Sequence, residues 1–117
     1  MTSKELIKIA AGILDGKKAE DIVVLDIGEL TPLGDYFLIA SGNSTTQVKA
    51  LAEELEDQLA KQGLEPRRIE GESSAMWILM DYNDVIIHIF YKDQRDFYCL
   101  ERLWGDAPKL DIETLLQ

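Results

Sequence analysis

Trp77-Ile78-Leu79-Met80-Asp81-Tyr82-Asn83-Asp84-Val85-Ile86-Ile87-His88-Ile89-Phe90 is the stretch on which the reading of the fold turns. Two runs rich in β-branched and aromatic residues flank Tyr82-Asn83-Asp84, and Asn tolerates the positive φ that a tight hairpin turn requires. The spacing predicts a β-hairpin. Side chains alternate along a strand, so a two-residue loop fixes which residues share a face. Whether the loop is Tyr82-Asn83 or Asn83-Asp84, Trp77, Leu79 and Asp81 fall on the side of Ile86, His88 and Phe90. Ile78, Met80, Val85, Ile87 and Ile89 fall on the other side, which is wholly apolar and is expected to face a helix.

Upstream, Asp35 to Ala40 reads as a strand that runs into a turn of small residues, Ser41-Gly42-Asn43-Ser44. Ser44 and Gln47 have capping-box spacing, and Val48, Leu51, Ala52, Leu55 and Leu59 then form the apolar stripe of a helix that Gly63 stops. Glu53, Glu54, Glu56 and Asp57 point mostly outward, as on a solvated helix face. This strand, this helix and the extended Pro66-Arg67-Arg68-Ile69 fit a right-handed β-α-β crossover joining two parallel strands, so the sheet is expected to be mixed. Farther upstream, Thr2-Ser3-Lys4-Glu5 has the spacing of a second capping box. It precedes a helix with Leu6, Ile9, Ala10, Ile13 and Leu14 on one face, ended by Gly16. Ile22-Val23-Val24-Leu25 has no polar interruption, as expected of a strand covered on both faces. Gly28, Pro32 and Gly34 mark the loop after it.

Downstream of the hairpin, Asp93 can cap a third helix carrying Phe97, Leu100, Leu103 and Trp104, closed by Gly105 and Pro108. Leu110 to Gln117 reads as one or two amphipathic turns. The expected architecture is one α/β domain of mixed α+β character, with about five strands flanked by helices. The domain is expected over residues 1–110, with a short C-terminal tail at 111–117.

The chain has 117 residues, 12 Lys+Arg against 22 Asp+Glu, a formal net charge of −10 and 46% hydrophobic residues. This length supports a core without metals or disulfides, and the composition argues against a solvated, disordered chain. Affinity for nucleic acid comes largely from Lys and Arg displacing counterions from phosphates. The only close basic clusters are Lys17-Lys18 and Arg67-Arg68, so little direct nucleic-acid contact is expected. Long-range attraction favours a basic protein surface. Cys99 is the single cysteine, which excludes an intramolecular disulfide and fits a small buried hydrophobe in a reducing cytoplasm. With no signal-peptide pattern and no long apolar run, the expectation is a soluble cytoplasmic protein with no membrane contact.

The hairpin face bearing Trp77, Leu79, Asp81, Ile86, His88 and Phe90 has two readings. It is covered by a second helix layer, with Asp81 at the rim and His88 satisfied by a neighbour. Or it is a partner surface, with Trp77 as the energetic anchor and Asp81 and Asp84 complementing a basic partner. A stable interface takes about 20 to 30 residues a side, so helix three or the acidic loop Glu70-Gly71-Glu72 would have to contribute.

Catalysis is poorly supported. Asp81 and Asp84, with Gly42 and Ser44, suggest the acidic strand and small-residue turn of nucleotidyltransferases, but the two carboxylates straddle a turn. No Lys or Arg cluster is placed to hold phosphates. His88 could act as a general base, yet no nucleophile is identifiable beside it. The expectation is no enzyme, no catalytic residue, no cofactor and no metal, with a residual nucleotide-binding or nucleotidyltransferase-like enzyme as the competing class. A general adaptor for some other basic protein is the third.

Several segments together resemble the ribosomal silencing factor family, also called Iojap. They are Glu20 to Asp26, Asp35 to Ser44, Glu70-Gly71, Trp77 to Tyr82, Asp84 to Phe90, and Arg95-Asp96-Phe97-Tyr98-Cys99-Leu100-Glu101-Arg102-Leu103-Trp104, in the family's order. Two departures stand out. Asn83 takes the place of a usual Gly in the hairpin turn and can adopt the same conformation, and Ser73-Ser74-Ala75 is a less standard approach to Trp77. The resemblance implies a domain related to the nucleotidyltransferase fold but without its catalytic residues. It also implies a partner, the large ribosomal subunit, reached through its ribosomal protein numbered fourteen at the surface that meets the small subunit. Subunit joining would be blocked and translation repressed when nutrients are scarce. Members commonly crystallise as dimers, so a homodimer is implied for the free protein. Glu70, Trp77, Leu79, Asp81, Asp84, His88 and Arg95 are the partner-binding candidates, the region coming from the resemblance and the choice within it from the pleat.

Overall fold

The computed structural model describes residues 1–32, 34–93 and 107–116. A first helix, α1 (Ser3–Gly16), leads into strand β1 (Glu20–Asp26), which is followed by β2 (Tyr36–Gly42) and a long helix α2 (Thr45–Lys61). Then come β3 (Arg68–Glu70), β4 (Trp77–Asp81), β5 (Val85–Tyr91), β6 (Lys109–Leu110) and a terminal helical turn, α3 (Ile112–Leu115). The six strands form one mixed sheet in the order β3-β4-β5-β2-β1-β6, parallel only between β2 and β5.

The hairpin forms with Asn83 and Asp84 as its loop. Asp81 lies opposite Ile86, Tyr82 N–H donates to the Val85 carbonyl at 3.0 Å, and Asn83 takes a φ of +75°. The pleat divides the sheet as its alternation requires. Ile78, Met80, Val85, Ile87 and Ile89 join the core beneath α1 and α2, with Leu6, Ile7, Leu14, Leu51, Leu55 and Leu59. The other face carries a second, smaller cluster of Leu25, Ile27, Phe37, Ile39, Phe90 and Ala107, against which Trp77 and Ile86 pack. Strand β1 supplies both clusters, Val24 to one and Leu25 to the other, so it is covered on both sides as its uninterrupted apolar run implies.

Local capping explains where the helices begin and end. Thr2 Oγ1 accepts the Glu5 N–H at 3.1 Å while Glu5 accepts the Thr2 N–H at 3.2 Å, a complete capping box. At α2, Ser44 Oγ accepts the Gln47 N–H at 3.0 Å, but the Gln47 side chain reaches the Asn43 N–H instead of that of Ser44. Gly63, at φ +83°, closes α2 in the left-handed conformation, with Leu64 N–H donating to the Leu59 carbonyl. Helix α1 stops differently. Its left-handed residue is Lys18 at φ +63°, and Gly16 remains the last helical residue.

Three features add detail to the sequence expectation. The sheet has six strands, because β6 adds a two-residue pairing with Val24 and Leu25 that is too short to leave a periodic signal. Strands β2 and β3 do run parallel, but β5 and β4 lie between them. The turn after β6 packs its apolar side on the main core through Leu115, as an amphipathic turn does. The expected third helix from Asp93 through Trp104 falls largely outside the described residues.

Candidate partner-binding surface

Register brings the outer face together row by row. Leu79 lies opposite Glu70 on one side and His88 on the other, and His88 lies beside Ile39 of β2. In the next row Asp81 joins Arg68 to Ile86, and Ile86 lies beside Phe37. Trp77 lies opposite Phe90 at the far end. Toward β1 and β2 this face is buried, whereas toward β4 Trp77, Leu79 and Ile86 are partly exposed, and Arg68, Glu70 and Asp84 are exposed. Met76, just before β4, is exposed at 37%, its carbonyl accepting the Tyr91 N–H.

The aromatic groups form one contiguous cluster. Trp77 lies on Phe90 with ring centres 5.2 Å apart and planes inclined by 24°, and Phe37 meets His88 edge-on at 4.8 Å. The Trp77 indole N–H donates to His88 Nδ1 at 3.0 Å. His88 is only 4% exposed, and burial holds its pKa down at about 4, so the ring is neutral at pH 7 with its proton on Nε2. That Nε2 is buried without a hydrogen-bond partner among the described residues.

Asp81, 8% exposed, is spent on the hairpin itself. Its Oδ1 accepts the Asn83 N–H at 2.8 Å, an Asx-type turn, and its Oδ2 lies 3.6 Å from Arg68 Nε. Arg68 also lies 3.9 Å from Glu70, and Arg67 donates to the Asn83 side-chain oxygen at 3.0 Å. The two arginines therefore temper the acidity around Glu70, Asp81 and Asp84. The Asp84 carbonyl accepts from the backbone N–H groups of Asp35 and Tyr36, fixing the turn against β2, and its side chain faces solvent.

Of the seven sequence candidates, the structure thus gathers Glu70, Trp77, Leu79, Asp81, Asp84 and His88 on or just beneath one end of the sheet. Glu70, Trp77, Leu79 and Asp84 reach the surface, and Asp81 and His88 lie below it. Arg95 lies outside the described residues. Sequence reasoning passed over Arg68, whose side chain shares this face only because of the β3–β4 register. Ala75 is buried at φ +57° and turns the chain at the start of β4. Gly71, at φ +85°, lies so close to the Trp77 carbonyl that an added Cβ would overlap it. The loop Glu70-Gly71 thereby sets where β4, and with it Trp77, begins.

For nucleotide chemistry the geometry offers less. Ser44 caps α2, and Gly42 lets Val48 of that helix approach closely. Among the described residues no three His, Cys, Asp or Glu side chains are grouped to hold a metal ion, and no helix is long and apolar enough to cross a membrane.

Fold and surface together define a small acidic α/β protein with a partly exposed apolar strip at one end of its sheet. Comparison with known proteins gives that class a family. The family model described as "Ribosomal silencing factor during starvation" matches residues 1–117. The Ribosomal silencing factor RsfS of Bacillus subtilis is 47% identical over 113 residues, covering 97% of this chain and 96% of the relative. That of Halalkalibacterium halodurans is 44% identical over 116 residues, covering 99% of each. A crystal structure from Chromobacterium violaceum superposes with a TM-score of 0.87 at 38% identity, covering 90% of this chain and 88% of that one. The chain belongs to the ribosomal silencing factor family, and the chloroplast Iojap protein of Arabidopsis thaliana, 32% identical over 108 residues, is a more distant relative.

Proposed function

We propose that this protein represses translation by docking on the large ribosomal subunit through its ribosomal protein numbered fourteen, so that its bulk blocks the small subunit from joining. It acts in the cytoplasm when nutrients are scarce, without catalysis, and is a homodimer when free. The observation that carries this reading is the partly exposed apolar strip of Trp77, Leu79 and Ile86 in a chain of net charge −10. Apolar groups around an aromatic anchor supply binding energy, and the charge of the whole chain supplies attraction to a basic protein. Trp77 and Leu79 make the contact, Glu70 and Asp84 flank it, and Asp81 and His88 hold it from beneath; Arg95 is the remaining partner-binding candidate.

Sedimentation tests the reading. The purified protein is expected to comigrate with isolated large subunits in a sucrose gradient and to reduce the fraction of joined ribosomes when small subunits are added. Free sedimentation of the protein, with joining undisturbed, would overturn it.

A further inference from the structure

We propose that His88 is a positioning residue whose Nδ1 holds the Trp77 indole in the orientation that docking requires, a role that rests on the docking reading above. Trp77 sits on the outermost full-length strand with only part of its surface covered, and an indole so placed can turn about its side-chain torsions. Among the described residues, the stack on Phe90 and the 3.0 Å hydrogen bond to His88 Nδ1 oppose that rotation. The stack limits tilt but still permits the ring to slide or flip in its plane. The hydrogen bond distinguishes those orientations, because only one of them points the N–H at Nδ1. His88 itself is rigid. It lies mid-strand between Leu79 and Ile39, with the Phe37 ring edge against it, so its lone pair has a fixed direction.

The choice of residue supports the assignment. A buried apolar side chain at position 88 would fill this space and bring no polar atom of its own into the core. Histidine instead carries a buried Nε2–H with no acceptor among the described residues. Buried polar groups are ordinarily paired, so an unmatched one accompanies a benefit at the other end of the ring. Here that benefit is the Trp77 N–H, held on His88 Nδ1 while the residue stays partly exposed.

Two variants separate positioning from packing. His88→Phe keeps an aromatic ring and removes the acceptor, and His88→Asn restores an acceptor oxygen near the place of Nδ1. Affinity for large subunits is expected to fall about ten-fold in His88→Phe, the effect of one buried hydrogen bond, and to recover to within about three-fold of wild type in His88→Asn. In a Trp77→Phe background the His88→Phe loss should vanish, since no indole remains to be oriented. In the free protein, the Trp77 indole N–H resonance should exchange slowly with solvent in wild type and His88→Asn, and rapidly in His88→Phe. Should His88→Phe not fold, His88→Leu takes its place. Equal affinity for wild type and His88→Phe overturns the proposal, as does an unchanged His88→Phe loss in the Trp77→Phe background. If wild type does not bind large subunits, the docking reading fails. The exchange of the indole proton alone then decides whether His88 orients Trp77.

Discussion

Acidification tests the burial of His88 directly. Its pKa lies at about 4 in the fold because burial disfavours the charged ring, against 6.5 for an exposed imidazole. Between those values the unfolded chain carries a proton on this ring and the folded chain does not, so stability declines as pH falls through the interval. Each pH unit is worth about 1.4 kcal/mol, so the gap of about 2.5 units costs about 3 kcal/mol by pH 4, with no further loss from this group below it. His88 is the chain's single histidine, so His88→Asn removes the whole imidazole contribution. Urea unfolding of both proteins at several pH values from about 7 to about 4 isolates the effect, because carboxylate titrations common to both cancel in the difference. With a slope of about 1.5 kcal/mol per molar urea, the wild-type midpoint should fall relative to the variant's by about 2 M across that range. A midpoint difference that stays constant with pH would refute the burial argument, since it would mean that the ring ionises equally well in the folded and unfolded chains.

Three other substitutions or conditions have defined outcomes. Gly71→Ala places a Cβ against the Trp77 carbonyl at a left-handed φ, and should destabilise by about 3 kcal/mol and lower the Tm by about 10 °C in a thermal melt. Thr2→Ala removes the oxygen that caps α1, and should cost about 1 kcal/mol in denaturant unfolding. It should also let the Glu5 carboxyl, held below its usual range first by the Thr2 backbone N–H and then by the Thr2 side chain, rise only part of the way, since the variant keeps the backbone N–H, as read by carbonyl NMR. Trp77→Ala should weaken binding to large subunits by about 2 kcal/mol, roughly thirty-fold, mainly by faster dissociation. Added salt should slow association of wild type and variant alike.

How much of this could be read without the structure depends on the range of each cause. The hairpin faces follow from pleat parity and one short loop, both local, and the two apolar clusters divide along them. The caps at Thr2 and Ser44 involve residues three apart and are equally local, although the Gln47 side chain turned out to reach back to Asn43. The αL stop of α1 fell on Lys18 because the left-handed position is set by where the helical bonds end, not by where the glycine is. Strand β6 was invisible because two residues carry no period.

The candidate surface shows the same boundary. The sequence by itself determined that Trp77, Leu79, Asp81, Ile86, His88 and Phe90 share a face, since alternation along a strand allows no other grouping. It also determined the charge of −10 that governs what the chain attracts. Only the tertiary structure decided that Trp77 and Leu79 remain partly exposed, while His88 and Asp81 sink beneath them. It alone placed Arg68 between Glu70 and Asp81. Exposure and ion pairing depend on which strands lie side by side and in what register, and those contacts join residues far apart in the chain. The sheet order β3-β4-β5-β2 buries the centre of the outer face at β5 and β2 and leaves its β3–β4 side partly open to solvent.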